Sequence, residues 1–398
     1  MERNAQNNRP PFEHLHMVFL FSDTGGGHRS AAEAIIEALH LEYGERVSTE
    51  MVDFFKQYAP RPIKRAPEWY PTLVRIPELW GLTFHLSNGP RRTKFILTTL
   101  WPYVRSAAKA LVTRHPGDII VSVHPLATAQ VLHAYKSERP PFVTVVTDLV
   151  NIHTFWFSPG VDLTVVPTEE ARRAAVNLGL RPEKLQVVGL PVADRFCQLP
   201  EDRQKLRKQL GWPQDLPVVL LVGGGEGMGP LEQTARAIVA SGMPLALVIV
   251  TGRNRKLKTR LEAQEWPVPT FIYGFVREMP AFMQAADILV TKAGPGTITE
   301  ALNASLPVIL YCRLPGQEDG NVVYVTTNGA GVWAPRPELV TNAIQDWLKY
   351  PKWHAQAVAA CRRLANPQAA HQIARILVRQ ALSKELVGNP QKSAISNP

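Results

Sequence analysis

"FLFSDTGGGHRSAAEAIIEAL" (residues 19–39) and "VVLLVGGGEGMGPLEQTARAI" (residues 218–238) share one plan: an apolar run, a glycine-rich turn, then a helical pattern. Apolar runs of this kind recur between helical segments, as in "DIIVSV" (118–123), "FVTVVTD" (142–148), "LTVVP" (163–167), "QVVG" (186–189), "LALVIVTG" (245–252), "DILVT" (287–291) and "PVILY" (307–311). Short continuous apolar strands alternating with helices belong to parallel sheets covered on both faces. The class expected is therefore α/β, doubly wound. A glycine turn opens each half, so two Rossmann-like domains with an interdomain cleft are expected.

The apolar periodicity lapses in the charged stretch 193–217, which reads as the junction. The expected organisation is a first domain over 14–195, a second over 196–350, helices over 351–386 that cross back to the first, and a polar, disordered tail over 387–398. Asn366-Pro367 should break the helical region in two, because proline lacks a backbone donor.

The chain has 398 residues, 45% of them hydrophobic, enough for two cores. Its three cysteines, Cys197, Cys312 and Cys361, are far apart and suggest neither a disulfide framework nor a zinc site. The amino terminus lacks the pattern of a signal peptide, and no stretch reaches the roughly 18 uninterrupted apolar residues of a spanning helix. A reducing, cytoplasmic location with peripheral attachment to the inner face of the cell membrane is expected. The net charge of +10 favours a polyanionic partner: nucleic acid, anionic lipid or a phosphorylated substrate.

Each glycine turn has a functional and a plain reading. Gly25, Gly26 and Gly27 let backbone amides approach an anion or make room for a substrate, and they also suit any tight strand-to-helix turn. His28, at the helix start and facing the expected cleft, is a candidate general base. In "VGGGEGMG" (222–229), Gly224, Gly225 and Gly227 expose amides with no Walker lysine, which fits a nucleotide diphosphate better than a triphosphatase. Arg253 and Asn254 stand at a strand's carboxyl end, where an arginine either offsets phosphate charge or is a surface residue. In "TKAGPGTITEAL" (291–302), Thr297 and Glu300 have capping-box spacing, and a carboxylate there equally suits the two hydroxyls of a ribose. "PGQEDGN" (315–321) groups Gln317, Glu318, Asp319 and Asn321 in one loop, either a polar turn or a set of partners for sugar hydroxyls. No Asp-x-Asp, His-Glu-x-x-His or Cys/His cluster is present, so no metal or other cofactor is expected.

In order, "DTGGGHRSAAEAI", "VHPL", "VVTDL", "HTFWFSPGVD", "VPTEEARRAA", "GLPV", "LVGGGEGMGPLEQTARA", "TGRN", "GFV", "TKAGPGTITEAL" and "PGQEDGNVVYV" resemble monogalactosyldiacylglycerol synthases and the related processive diacylglycerol glucosyltransferases of glycosyltransferase family 28, over residues 17 to 345. The resemblance implies a GT-B fold and inverting, metal-independent transfer of a hexose from a UDP-hexose to diacylglycerol, with galactose favoured and glucose, as in the processive diacylglycerol glucosyltransferases, the alternative. It implies that His28 is the base and that Gly26, Gly27, Asp148 and Trp156 lie on the acceptor side. On the donor side it implies the amides of Gly224, Gly225, Glu226 and Gly227 at the diphosphate, Phe275 with Val276 at the uracil, Glu300 both capping and binding the ribose, and Gln317 with Glu318 at the sugar hydroxyls. Arg253, Asn254, Gly294, Gly296, Thr297 and Asn321 complete the expected donor-binding set.

Residues 61–105 mix Arg61, Lys64, Arg65, Arg75, Arg91, Arg92 and Lys94 with Trp69, Tyr70, Trp80, Phe84, Phe95 and Trp101. Such a mixture suits an anionic membrane surface, or two amphipathic helices that use their aromatics internally. Two other classes compete with the lipid transferase. One is a UDP-N-acetylglucosamine transferase of peptidoglycan synthesis. The other is a non-enzymatic nucleotide or nucleic-acid binder, although no nucleic-acid partner is expected here.

Overall fold

A computed structural model describes residues 12–23, 27–61, 63–65, 68, 76–135, 138–198 and 202–388. It contains two six-stranded sheets, parallel throughout. The first is built from β1 (Leu15–Phe21), β2 (Val47–Asp53), β3 (Ile119–Ser122), β4 (Phe142–Val145), β5 (Leu163–Val166) and β6 (Leu185–Val187) in the order β2-β1-β3-β4-β5-β6. The second is built from β7 (Val218–Val222), β8 (Ala246–Val250), β9 (Thr270–Tyr273), β10 (Ile288–Lys292), β11 (Val308–Cys312) and β12 (Gly331–Trp333) in the order β12-β11-β10-β7-β8-β9. Both belong to the α/β, two-lobed class expected.

Every residue of β3, β4, β5, β7 and β8 is buried, as strands flanked on both faces require. In β2, β9 and β12 no apolar run exceeds three residues. Each is an edge strand with a partly exposed face, so its sequence need not be apolar throughout.

The helices of the first lobe are α1 (Gly27–Tyr43), α2 (Pro77–Ser87), α3 (Pro90–Arg114), α4 (Pro125–Ala134) and α5 (Glu169–Asn177). Those that follow are α6 (Arg203–Leu210), α7 (Leu231–Ala240), α8 (Arg255–Glu262), α9 (Met279–Ala285), α10 (Pro295–Asn303), α11 (Asp319–Thr327), α12 (Pro337–Lys349), α13 (Pro351–Leu364) and α14 (Ala369–Gly388). Helix α1 buries Ala31, Ala34, Ile35, Ala38 and Leu39 against the sheet, an apolar stripe at helical spacing. It ends at Tyr43, before Gly44 at φ 58°.

The charged stretch between the sheets holds α6, whose Arg207 is buried. Arg207 Nη2 donates to Asp287 Oδ2 at 2.6 Å, Nε to the Ala285 carbonyl at 2.8 Å, and Nη1 to the Leu216 carbonyl at 3.2 Å. Asp287 Oδ2 also accepts the Val218 amide at 2.8 Å, at the start of β7. Asp287 keeps Arg203 at 3.1 Å and the Val218 amide when Arg207 is removed, but the Ala285 and Leu216 carbonyls lose their donor, so Arg207→Ala should destabilise the second lobe by about 2 kcal/mol. The check is a fall in its denaturant midpoint.

The helical region after Pro351 breaks at Asn366-Pro367, between α13 and α14. Helix α13 packs on α10 of the second lobe, and α14 packs on α1 of the first. His371 of α14 fixes the latter contact, with Nδ1 2.8 Å from Glu42 Oε1 and Nε2 3.0 Å from Asp194 Oδ2, while Arg375 pairs with Glu42.

Candidate functional site

In a parallel sheet, ligands bind beyond the carboxyl ends of the strands where the strand order reverses. In the first sheet that point lies between β1 and β3, and in the second between β7 and β10. The candidate residues gather at these two places.

Beyond β1, the turn is braced by Arg29, which donates from Nε and Nη2 to the two oxygens of Asp23 at 2.6 and 2.9 Å. Gly25 and Gly26 lie outside the described residues. Gly27 begins α1, and a methyl group added to it would meet nothing within 4 Å among the described residues. His28 follows, with Nδ1 2.9 Å from the hydroxyl of Thr147 at the end of β4. Its ring lies edge-on to His124, centroids 4.7 Å apart, and 5.8 Å from Trp156. Burial pushes the His28 imidazole down to about 4, against a hydrogen bond to the Val123 backbone, so the ring is neutral at physiological pH. His124 is held still more firmly neutral by burial and by the neighbouring His28.

Asp148 is next to Thr147. Its Oδ2 accepts the Trp156 indole N–H at 2.6 Å and its Oδ1 accepts the Gln317 amide at 3.0 Å, a bond between the lobes. Burial raises the Asp148 carboxyl, opposed by those two hydrogen bonds. Trp156 is fully buried, so in this conformation it lies behind His28 and offers no surface to an acceptor. A second bond between the lobes runs from Asn151 Nδ2 to the Gly316 carbonyl at 2.7 Å. Helix α2 reaches the same loop, with Phe84 against Gly316 and Gly81 against Pro315.

In the second lobe the turn after β7 is folded back on itself. A Cβ on Gly227 would stand 2.4 Å from the Thr251 carbonyl oxygen, and one on Gly252 2.4 Å from that of Gly225. Both glycines have positive φ, at 61° and 59°, so side chains are excluded by space and by backbone conformation. Gly224 also has positive φ, and the Gly225 carbonyl accepts the Arg253 amide at 2.8 Å. Glu226 is paired with Arg253 at 2.9 Å, and that guanidinium lies 4.9 Å over the ring of Phe275. Asn254 caps α8 by accepting the Leu257 amide at 3.1 Å, a structural use of that side chain. Phe275 is 61% exposed, an open aromatic face beside Arg253, and Val276 is partly buried against the core.

The turn after β10 corrects the capping-box reading. Pro295 starts α10, so the N-cap is Gly294, without a side-chain cap bond, and Thr297 and Glu300 fall inside the helix. Gly296 faces open space. Glu300 caps nothing; burial pushes its carboxyl up to about 7, against a weaker pull from Arg195. Among the described residues that carboxylate makes no hydrogen bond or ion pair, and Arg195 acts on it only through its charge.

The 315–321 loop is wired more tightly than a sugar-binding loop need be. Glu318 is 2% exposed, its Oε1 paired with the Lys292 ammonium and its Oε2 accepting the Leu314 amide at 2.8 Å. Asn321 donates to the Ala293 carbonyl at 2.9 Å, while its Oδ1, like Gln317 Oε1, is buried with no partner among the described residues. Asp319 is held by Arg313 and the Gly316 amide. Sequence reasoning missed Thr147, His124, Asn151, Gly252 and Lys292. Each stands inside or beside a quoted motif, but its partner lies in another.

Two family models match the chain: monogalactosyldiacylglycerol (MGDG) synthase over residues 28–192 and the glycosyltransferase family 28 C-terminal domain over residues 218–373. A probable monogalactosyldiacylglycerol synthase 2 of Oryza sativa subsp. japonica is 40% identical over 345 residues, covering 84% of this chain and 73% of that protein. The monogalactosyldiacylglycerol synthase 2 of Arabidopsis thaliana is 37% identical over 372 residues, covering 90% and 80%.

The chain belongs to the monogalactosyldiacylglycerol synthase family. It is a glycosyltransferase with the GT-B fold. MurG of Acinetobacter baumannii superposes with a TM-score of 0.59 at 14% identity, over 92% of this chain and 99% of that one. Anabaena HepE in complex with UDP-glucose gives 0.54 at 17% identity, over 92% and 100%. At these identities the likeness is one of fold alone, whereas the synthases share sequence along most of the chain. Those synthases are chloroplastic, which overturns the expected cytoplasmic location on the inner face of the cell membrane. Among the described residues, no helix is long and apolar enough to cross a membrane.

Proposed function

We propose that the protein transfers galactose from UDP-galactose to the free hydroxyl of 1,2-diacylglycerol, inverting the anomeric carbon and using no metal ion. The observation that carries this reading is a neutral imidazole, His28, at the reversal point of the first sheet, in a chain 37–40% identical to monogalactosyldiacylglycerol synthases. His28 takes the proton as the glycerol oxygen attacks C1 from the face opposite UDP. The turns after β7 and β10 receive the departing diphosphate, whose growing charge meets backbone amides fixed before the reaction begins. Glu300, a carboxylate with no hydrogen bond or ion pair among the described residues, accepts the ribose hydroxyls.

An anionic membrane surface supplies the acceptor. Helix α2 exposes Leu79, Leu82 and Leu86 at 44%, 56% and 62%, with Phe95 and Tyr103 of α3 at 72% and 68%. Arg91, Arg92 and Lys94 stand exposed beside them. This apolar and basic mixture suits a bilayer interface. Two of the named aromatics follow the other reading, in which the helices use them internally. Phe84 is buried against Gly316 and His153, and Trp101 packs on His133 at 4.2 Å. Trp69, Tyr70 and Arg75 lie outside the described residues.

The test is to incubate the protein with diacylglycerol in vesicles containing anionic lipid, and with UDP-galactose or UDP-glucose, in the presence of a chelator. A β-linked monogalactosyldiacylglycerol is expected, with transfer weakened by salt. A glucolipid, or strict dependence on a divalent ion, would overturn the corresponding part of the proposal.

A further inference from the structure

Lys292 is the last residue of β10, at the point where the second sheet reverses its strand order. The neighbouring pair is Thr291 with Val222, so Lys292 stands level with the start of the glycine turn after β7. On its other side the register with β11 skips a residue: Thr291 pairs with Leu310 but Lys292 with Cys312. A skip of this kind re-aims the side chain that follows it. Here it follows the strand end from which a side chain reaches a ligand.

The side chain runs between two glycine turns. A Cβ on Gly224 would lie 3.3 Å from Lys292 Cε, and one on Gly294 would lie 2.9 Å from its Nζ. Any larger residue at Gly294 would push the ammonium aside. Lys292 is 17% exposed in its side chain, against 52% for Arg253, the other cation beside these turns. Arg253 is also engaged by Glu226 and Phe275 and is more strongly screened by solvent.

We infer that Lys292 is the fixed cation that contacts the donor's diphosphate, and that Glu318 is its positioning residue. An ammonium has three donors; Glu318 takes one and leaves two for phosphate oxygens. Glu318 is buried with both oxygens engaged, by Lys292 and by the Leu314 amide, and so serves the lysine rather than a sugar hydroxyl. Leaving-group charge then meets a cation placed in advance, and the arrangement costs no reorganisation during transfer.

This inference rests on the donor being a nucleoside diphosphate sugar, and the experiment separates the two ideas. Binding of UDP and of uridine to the full-length protein is measured by ligand-observed NMR for the wild type, Lys292→Met, and the double variant Lys292→Met/Glu318→Gln. The double variant carries no unpaired buried carboxylate and guards against misfolding. Both variants should bind UDP about tenfold to a hundredfold more weakly, as expected for losing a charged hydrogen bond, with uridine affinity unchanged. Inorganic pyrophosphate should compete with UDP on the wild type and much less on the variants. Equal losses for UDP and uridine, or unchanged UDP affinity, would make Lys292 a structural partner of Glu318 and overturn the inference. A wild type that binds neither ligand would overturn the donor reading itself.

Discussion

Replacing His28 by alanine should lower turnover by about a hundredfold to ten-thousandfold, the usual contribution of a positioned general base, while leaving UDP affinity within a few-fold. The separation follows from where the residue stands. His28 touches Thr147, His124 and Trp156, all in the first lobe, whereas the glycine turns after β7 and β10, Lys292 and Glu300 belong to the second. Burial holds the free ring near 4, so in kcat/KM, which reports the free enzyme, loss of the base by protonation should appear only in that acidic range. In the proposed mechanism a bound donor's phosphates would bring negative charge into the cleft, favour the protonated ring and move the kcat profile to higher pH than that of kcat/KM. His124 works the other way, because two rings 4.7 Å apart cannot both hold a charge in a buried setting. His28→Gln, similar in size but without basicity, should be as inactive as alanine. Near-normal turnover in either variant would remove His28 from the mechanism.

What the sequence disclosed about the fold followed burial. Strands covered on both faces are apolar end to end and could be read directly. The edge strands β2, β9 and β12 need only one apolar face, and "VSTEMVD", "TFIY" and "GVW" give no apolar run longer than three residues. Glycine turns were legible because positive φ and close backbone approach leave few other residues possible, as at Gly227 and Gly252. Pairings were not legible. Asp148 meets Gln317 across 169 positions and Lys292 meets Glu318 across 26, and no local pattern encodes such contacts. The Thr297 and Glu300 spacing misled because the same four-residue pattern arises inside a helix whose start Pro295 has already fixed. Phe84 and Trp101 stayed open between two readings for a related reason: composition does not distinguish an aromatic that faces a bilayer from one that packs on a neighbouring helix or loop.

UDP affinity should rise with pH through about 7 in the wild-type protein, and Glu300→Gln should abolish that rise and weaken binding at pH 8 by about tenfold or more. The Glu300 carboxyl is pushed up to about 7 by burial, so it is protonated below that value and ionised above it. In the proposed complex the ionised carboxylate would accept hydrogen bonds from both ribose hydroxyls, whereas the protonated one would spend one oxygen as a donor and lose charge assistance. The ligand-free protein should respond in the opposite sense. Its native state holds this proton more tightly than the unfolded chain does, so between the ordinary carboxyl value of 4.5 and about 7 its stability falls as pH rises. The thermal shift produced by saturating UDP should therefore widen across the same interval in which the free protein loses stability. A group serving only the fold would alter the second trend without the first. If UDP affinity stayed flat from pH 6 to 8, or kept its slope in Glu300→Gln, the ribose contact would have to be assigned to another residue.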